Sequence, residues 1–221
     1  MEHAAPPAAL AEAVSAVAAA AAAVAASALA DTGRIELIVG PMFSEKTSEM
    51  VSRVRRAALA NQPAVIVKFR GDDRYDRSDI VATHADVRQV STPGTEVCAA
   101  IRVIAADTLK EVKVTEMVVG VDEGQFYPDL VEICEKWAQE GRRVIVAALD
   151  GDFARRPFGQ VCDLVPLCEF VEKRRGVCMK CRRQDSAFTQ RLGTSTVLIQ
   201  IGARESYRAV CRQCYFTPVT Q

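Results

Sequence analysis

Apolar positions along this chain fall into two alternating patterns. Short apolar runs at residues 35–39, 65–69, 117–121 and 144–148 are rich in Val and Ile and read as buried strands. Between them the spacing turns helical. Lys46–Leu59 carries Met50, Val54 and Leu59 as an apolar stripe, with Arg53, Arg55 and Arg56 on a solvated face. Asn61, Gln62 and Pro63 end it. Pro128 and Asp129 open a second helix that runs to Glu140 and buries Leu130, Ile133, Cys134 and Trp137. Residues 96–108 are predicted to form another helix, since Val97, Ala100, Ile101 and Ile104 share one face. Strands alternating with helices predict an α/β fold, a parallel sheet with helices on both faces.

The polar residues gather where these strands end. After the first strand come Gly40, Pro41, Met42, Phe43, Ser44, Glu45, Lys46 and Thr47, the layout of a phosphate-binding loop with Glu45 in place of the second glycine. Backbone N–H groups and a helix N-terminus suit an anion here. Lys46 would reach the β/γ-phosphates and the Thr47 hydroxyl would ligate Mg2+. Glu45 puts a carboxylate beside that anion, and a left-handed backbone there would cost about 1–2 kcal/mol. The third strand ends in Asp122 and Glu123: Asp122 is a second Mg2+ candidate and Glu123 a candidate general base. Arg74, in the polar loop after the second strand, is placed to contact phosphate. Leu149 and Phe153, after the fourth, could line a small-molecule pocket.

Composition narrows the choice. The 221 residues carry 28 basic and 28 acidic side chains, so the electrostatic footprint of a nucleic-acid binder is missing. Two histidines leave little for histidine catalysis, and His84 reads as structural. Of eight cysteines, Cys98, Cys134, Cys162 and Cys168 are scattered and read as structural thiols. Cys178, Cys181, Cys211 and Cys214 form two CxxC pairs, which read as one structural Zn2+ site. The segment between the pairs, 188–207, suits a lid. Residues 1–33, about half alanine, read as a disordered or partly helical extension rather than a membrane span.

Taken together, the 40–44 loop, Lys68, residues 72–75, residues 122–126, residues 148–151, residues 157–159 and the two CxxC pairs resemble thymidine kinases of the cellular, zinc-containing type. The resemblance runs from about Gly33 to Phe216. It implies a RecA-like phosphate-loop α/β core over residues 34–170 and a small zinc-ribbon or lasso domain over residues 171–217. It implies transfer of the ATP γ-phosphate to the 5′-hydroxyl of thymidine, with Mg2+ and with Glu123 as base. Residues 40–47 would hold the triphosphate, helped by Asp72, Asp73, Arg74, Asp122, Gly124 and Gln125. Phe126, Leu149 and Phe153 would pack around thymine. Backbone groups of Leu198, Ile199, Gln200, Ile201 and Gly202 would cover it, and Thr189 and Tyr207 would contact substrate. Homodimers or tetramers in the cytoplasm, with no nucleic-acid or membrane partner, complete the expectation.

The chain also departs from the family's pattern. Besides Glu45, Ala203 stands where a second glycine is usual, Arg204 and Ser206 differ, Ala85 replaces an acid, and residues 182–187 carry one extra position. Two readings follow: an active kinase, or a catalytically degenerate copy with a structural or regulatory role. A third, a zinc-ribbon nucleic-acid module, conflicts with the neutral charge and the Asp122–Glu123 pair.

Overall fold

The computed structural model describes residues 33–71, 101–193 and 206–217. Its centre is a six-stranded sheet of β1 (Arg34–Val39), β2 (Ala64–Phe69), β3 (Ile101–Ala106), β4 (Val118–Val121), β5 (Arg143–Ala148) and β6 (Phe170–Lys173), in the order β3-β2-β4-β5-β1-β6. All its pairings are parallel. The central strands are buried on both faces, as parallel strands under helices are, which is why they read as continuous apolar runs.

Helix α1 (Lys46–Leu59) covers one face, packing Met50, Val51 and Val54 on Ile38, Ile66 and Ile145. Helix α2 (Leu130–Gln139) covers the other, where Leu130, Ile133 and Trp137 join Leu37, Val119 and Val144. Gly120 in β4 sets how closely α1 lies: a Cβ there would meet Met50 Sδ at 2.5 Å. Short helix α3 (Val161–Leu164) adds Val161 and Leu164 to the α2 side.

Four expectations are corrected. Residues 101–106 form a strand, not a helix: Ile101 and Val103 pack on one face and Ile104 and Ala106 on the other, in parallel register with β2. Leu59, the last residue of α1, is exposed, and the buried stripe continues through Ala57 and Ala58 instead. Arg53 is not on a solvated face. Its side chain is 14% exposed and bonds Glu36, Glu49 and Glu172. Met117 lies outside β4 and is half exposed. Strand β6 was not expected, because its short, charged sequence pairs only at the sheet edge.

Beyond β6 lie small pieces. β7 (Gly176–Val177) pairs antiparallel with β8 (Asp185–Ser186), and β9 (Phe188–Arg191) with β10 (Tyr207–Val210). A five-residue helix, α4 (Arg212–Phe216), follows. No helix among the described residues is long and apolar enough to cross a membrane.

Candidate active site

The strand ends meet at one edge of the sheet, where parallel α/β sheets bind ligands. Gly40 leaves β1 with φ 147°, and a Cβ there would meet the Arg174 carbonyl at 2.4 Å, so only glycine fits this close approach. The Ser44 hydroxyl and the Lys46 ammonium both donate to the Pro41 carbonyl, at 2.8 and 2.7 Å. That holds the loop tight and keeps the Lys46 charge over it.

Glu45 adopts a left-handed backbone, φ 59° and ψ 29°, as the N-cap of α1. The side chain is 66% exposed and turns outward to Arg174, at 3.8 Å. Arg174 also donates to the Ser44 carbonyl at 3.1 Å and pairs with Glu49 and Glu172. One arginine at the end of β6 thus braces the loop and faces its unexpected carboxylate.

Thr47 Oγ1 donates to Asp122 Oδ1 at 2.8 Å, joining the start of α1 to the end of β4. A hydroxyl and a carboxylate at the mouth of a phosphate loop are hard oxygen donors, and they fit Mg2+. Glu123 follows in a left-handed conformation, φ 54°. Gln125, buried, donates to Glu123 Oε2 at 2.6 Å and accepts from the Leu149 N–H at 2.9 Å. Its amide fixes the carboxylate against the end of β5. Gly124 faces the core: a Cβ would meet Val146 at 2.8 Å. Tyr127 is held protonated first by burial, then by the Asp122 and Glu123 carboxylates, a sign of how much negative charge collects here.

Beside this lies an aromatic wall. Phe126 packs on Phe69 and Phe158, with ring centroids 4.9 and 5.7 Å apart. Asp152 shapes the next turn by accepting from the Ala154 and Arg156 N–H groups, each at 2.8 Å. That turn presents Phe153, whose ring meets the Arg191 guanidinium at 3.9 Å. Arg191 in turn donates to the Tyr207 hydroxyl at 2.6 Å. Thr189 accepts from the Met42 N–H at 3.0 Å, tying the phosphate loop to β9.

The expected residues 40–47, 122–126, Leu149, Phe153, Thr189 and Tyr207 are therefore linked through these contacts. Asp72, Asp73, Arg74, Leu198, Ile199, Gln200, Ile201 and Gly202 lie outside the described residues, as do residues 1–32, Cys98, His84, Ala85, Ala203 and Arg204. Sequence reasoning missed Arg191 and Phe158. Strand alternation could have found Arg191, two positions from Thr189 on the buried side of β9.

The sulfurs of Cys178, Cys181, Cys211 and Cys214 lie within 4.8 Å of one another. Thiolates on a tetrahedral zinc at about 2.3 Å are roughly 3.8 Å apart, so the cluster fits that ion with little movement. Burial would raise the Cys178 thiol, but N–H groups of Cys181, Cys211 and Lys180 bring it down to about 6. Cys214 is pushed up to about 12, by burial and by the neighbouring cysteines. Four sulfurs this close cannot all ionise without a cation among them.

A family model described as thymidine kinase matches residues 33–215. Proteins named thymidine kinase from monkeypox virus and variola virus are each 44% identical over 183 residues, spanning 83% of this chain and 97% of theirs. One from vaccinia virus (strain Ankara) is 43% identical over the same span. A phosphate loop joined to an acidic strand end, beside an aromatic wall and a four-cysteine cluster, agrees with that match, and the chain belongs to the thymidine kinase family.

Proposed function

We propose that this chain transfers the γ-phosphate of ATP to the 5′-hydroxyl of thymidine, giving dTMP. The observation that carries the reading is the Thr47–Asp122 bond at the mouth of the loop, with the Glu123 carboxylate held next to it by Gln125. Residues 40–47 cradle the triphosphate through backbone N–H groups, with Lys46 on its terminal phosphates and with help from Asp72, Asp73 and Arg74. Thr47 and Asp122 hold Mg2+, which offsets charge on the transferring phosphate. Glu123 accepts the proton of the 5′-hydroxyl as that oxygen attacks. Phe126, Leu149 and Phe153 flank thymine. Thr189, Tyr207 and the backbone of residues 198–202 complete the pocket.

Zn2+ in the four-cysteine cluster is structural: with four protein ligands it has no open position for chemistry. The wider reading is a nucleotide-binding domain over 34–170, a lasso domain over 171–217 and a cytoplasmic homo-oligomer. The outer edge of β6, with Phe170 and Val171 exposed, offers it a surface.

The degenerate alternative rests on Glu45 and the altered lid. The outward turn of Glu45 toward Arg174 favours the active reading, because it leaves the cradle free of the carboxylate. The test is ATP-dependent thymidine phosphorylation by the zinc-loaded chain, beside Glu123→Gln and Glu45→Gly. Turnover in the parent, cut roughly 10²–10⁴-fold by Glu123→Gln, supports the reading. A folded, silent parent rescued by Glu45→Gly supports the degenerate one. Silence in both withdraws the enzyme assignment.

A further inference from the structure

We infer that the four-cysteine cluster shapes the nucleoside pocket through Tyr215 and Arg155, two positioning residues for thymidine. The inference rests on the reading of Phe153 as a wall of that pocket.

Helix α4 has only five residues, too few to hold together alone. Its start is fixed by cysteines: Cys211 is the N-cap and its sulfur accepts from the Cys214 N–H at 3.5 Å. Tyr215 follows directly. Its hydroxyl donates to the Phe153 carbonyl at 2.7 Å, and its own carbonyl accepts from Gln190 at 3.2 Å. The helix that carries Cys214 and is capped by Cys211 is therefore hooked to the backbone of the turn that presents Phe153.

A second hook lies two residues on. The Arg155 guanidinium sits 4.7 Å from the Tyr215 ring centroid, 4.5 Å from Phe216 and 5.4 Å from Phe188. Three rings lying against this exposed cation form an attractive, partly open cage. Arg155 has φ 63°, so the turn is already committed to a left-handed residue there. From inside, Asp152 closes the turn; from outside, Tyr215 and the cage fix where it stands. The Phe153 ring then meets Arg191 at 3.9 Å. The described contacts of Tyr215 and Arg155 run to Phe153, Phe188, Gln190 and Phe216, while β9 reaches the phosphate loop separately, through Thr189 on the Met42 N–H. Losing either hook should loosen the nucleoside side of the site and leave the nucleotide side intact, whereas losing the metal should also loosen β9 and its bond to the loop.

The experiment uses the full zinc-loaded chain with Tyr215→Phe, which keeps the ring, and Arg155→Asn, which keeps a residue tolerant of the left-handed region. Thymidine affinity is measured by calorimetry and a non-hydrolysable ATP analogue is titrated in parallel. Zinc is quantified, and backbone hydrogen exchange is followed over residues 149–158. The expected result is about five-fold weaker thymidine binding in each variant, of the order that one hydrogen bond contributes. Zinc stays at one per chain, ATP-analogue affinity stays within about two-fold, and exchange over 149–158 rises in both variants and on chelation of the zinc. Unchanged thymidine affinity with unchanged exchange overturns the inference. So does a parallel loss of ATP-analogue binding, which would make these residues general supports of the fold. If the parent binds the ATP analogue but no thymidine, the kinase reading fails by itself, and exchange over 149–158 alone then decides the coupling.

Discussion

Glu45, like Phe43 and Gly40 before it, sits at a phosphate-loop position whose positive φ favours glycine. Its left-handed conformation costs about 1–2 kcal/mol, which a glycine would not pay, though glycine also gives the unfolded chain about 0.4–1 kcal/mol of extra freedom. Glu45→Gly is therefore expected to stabilise the protein by about 0.5–1 kcal/mol, read as a higher urea midpoint at unchanged slope. A lower midpoint would mean that the carboxylate's contact with Arg174 outweighs the strain. Arg174→Leu removes both the brace on the Ser44 carbonyl and that contact, and the KM for ATP should rise several-fold; an unchanged KM would show that the loop holds itself. Lys46, Thr47, Asp122 and Glu123 were legible in the sequence because their chemistry is carried by local spacing. The direction of Glu45 was not, since it depends on an arginine at the end of the far edge strand. Arg191 and Tyr215 escaped for the same reason: their partners are distant in the chain.

At the scale of elements, β1 shows how a buried charge can hide in an apolar run. Glu36 is 7% exposed inside that strand, yet bonds Arg34 of β1, Arg143 of β5 and Arg53 of α1. Burial alone would raise its carboxyl; hydrogen bonds from Arg143, Arg34 and Arg53 outweigh that and lower it from 4.5 to about 2. A depressed folded value means stability that is present above the unfolded value and lost as pH falls toward the folded one. Glu36 should thus contribute on the order of 2–3 kcal/mol near neutrality, fading between about pH 4.5 and 2. Urea unfolding of the parent and Glu36→Gln should show a gap that narrows as pH is lowered through this window. A gap constant with pH would mean that packing, not ionisation, explains the loss. The four short apolar runs declared their strands plainly, and the ends of α1 and α2 were close. Residues 101–106 did not, because a short, mainly apolar run interrupted by Arg102 at the sheet edge fits helical and strand spacing alike, and pairing with β2 decided it. Arg53, which joins α1 to β1 and β6, was invisible as part of a network, since a charged stripe on a helix reads as solvated until the neighbouring strand is known.

Across the whole molecule, the two apolar clusters that hold the sheet draw, among the described residues, on none beyond Cys168. The segment that follows has a different interior: Cys178, Val210, Cys211 and Cys214, with Cys181, Phe188 and Tyr215 packed against them. Four of those seven side chains are the cluster cysteines, so among the described residues this interior loses over half its members if the sulfurs repel one another. Metal binding to such a cluster supplies on the order of 10 kcal/mol of apparent folding energy. Removing the metal should therefore melt residues 176–217 while the sheet persists. The single tryptophan, Trp137, lies buried in α2 against the sheet and reports on that half alone. After chelation, or in Cys178→Ser, the thermal transition seen by Trp137 fluorescence should shift by only a few degrees, whereas amide exchange across 176–217 becomes fast. The small shift expresses the bonds that cross between the parts: Thr189 on Met42 and Tyr215 on Phe153. If the Trp137 transition instead collapses with the metal, the sheet is not self-sufficient, and the division at about residue 170 describes the sequence but not the folding unit.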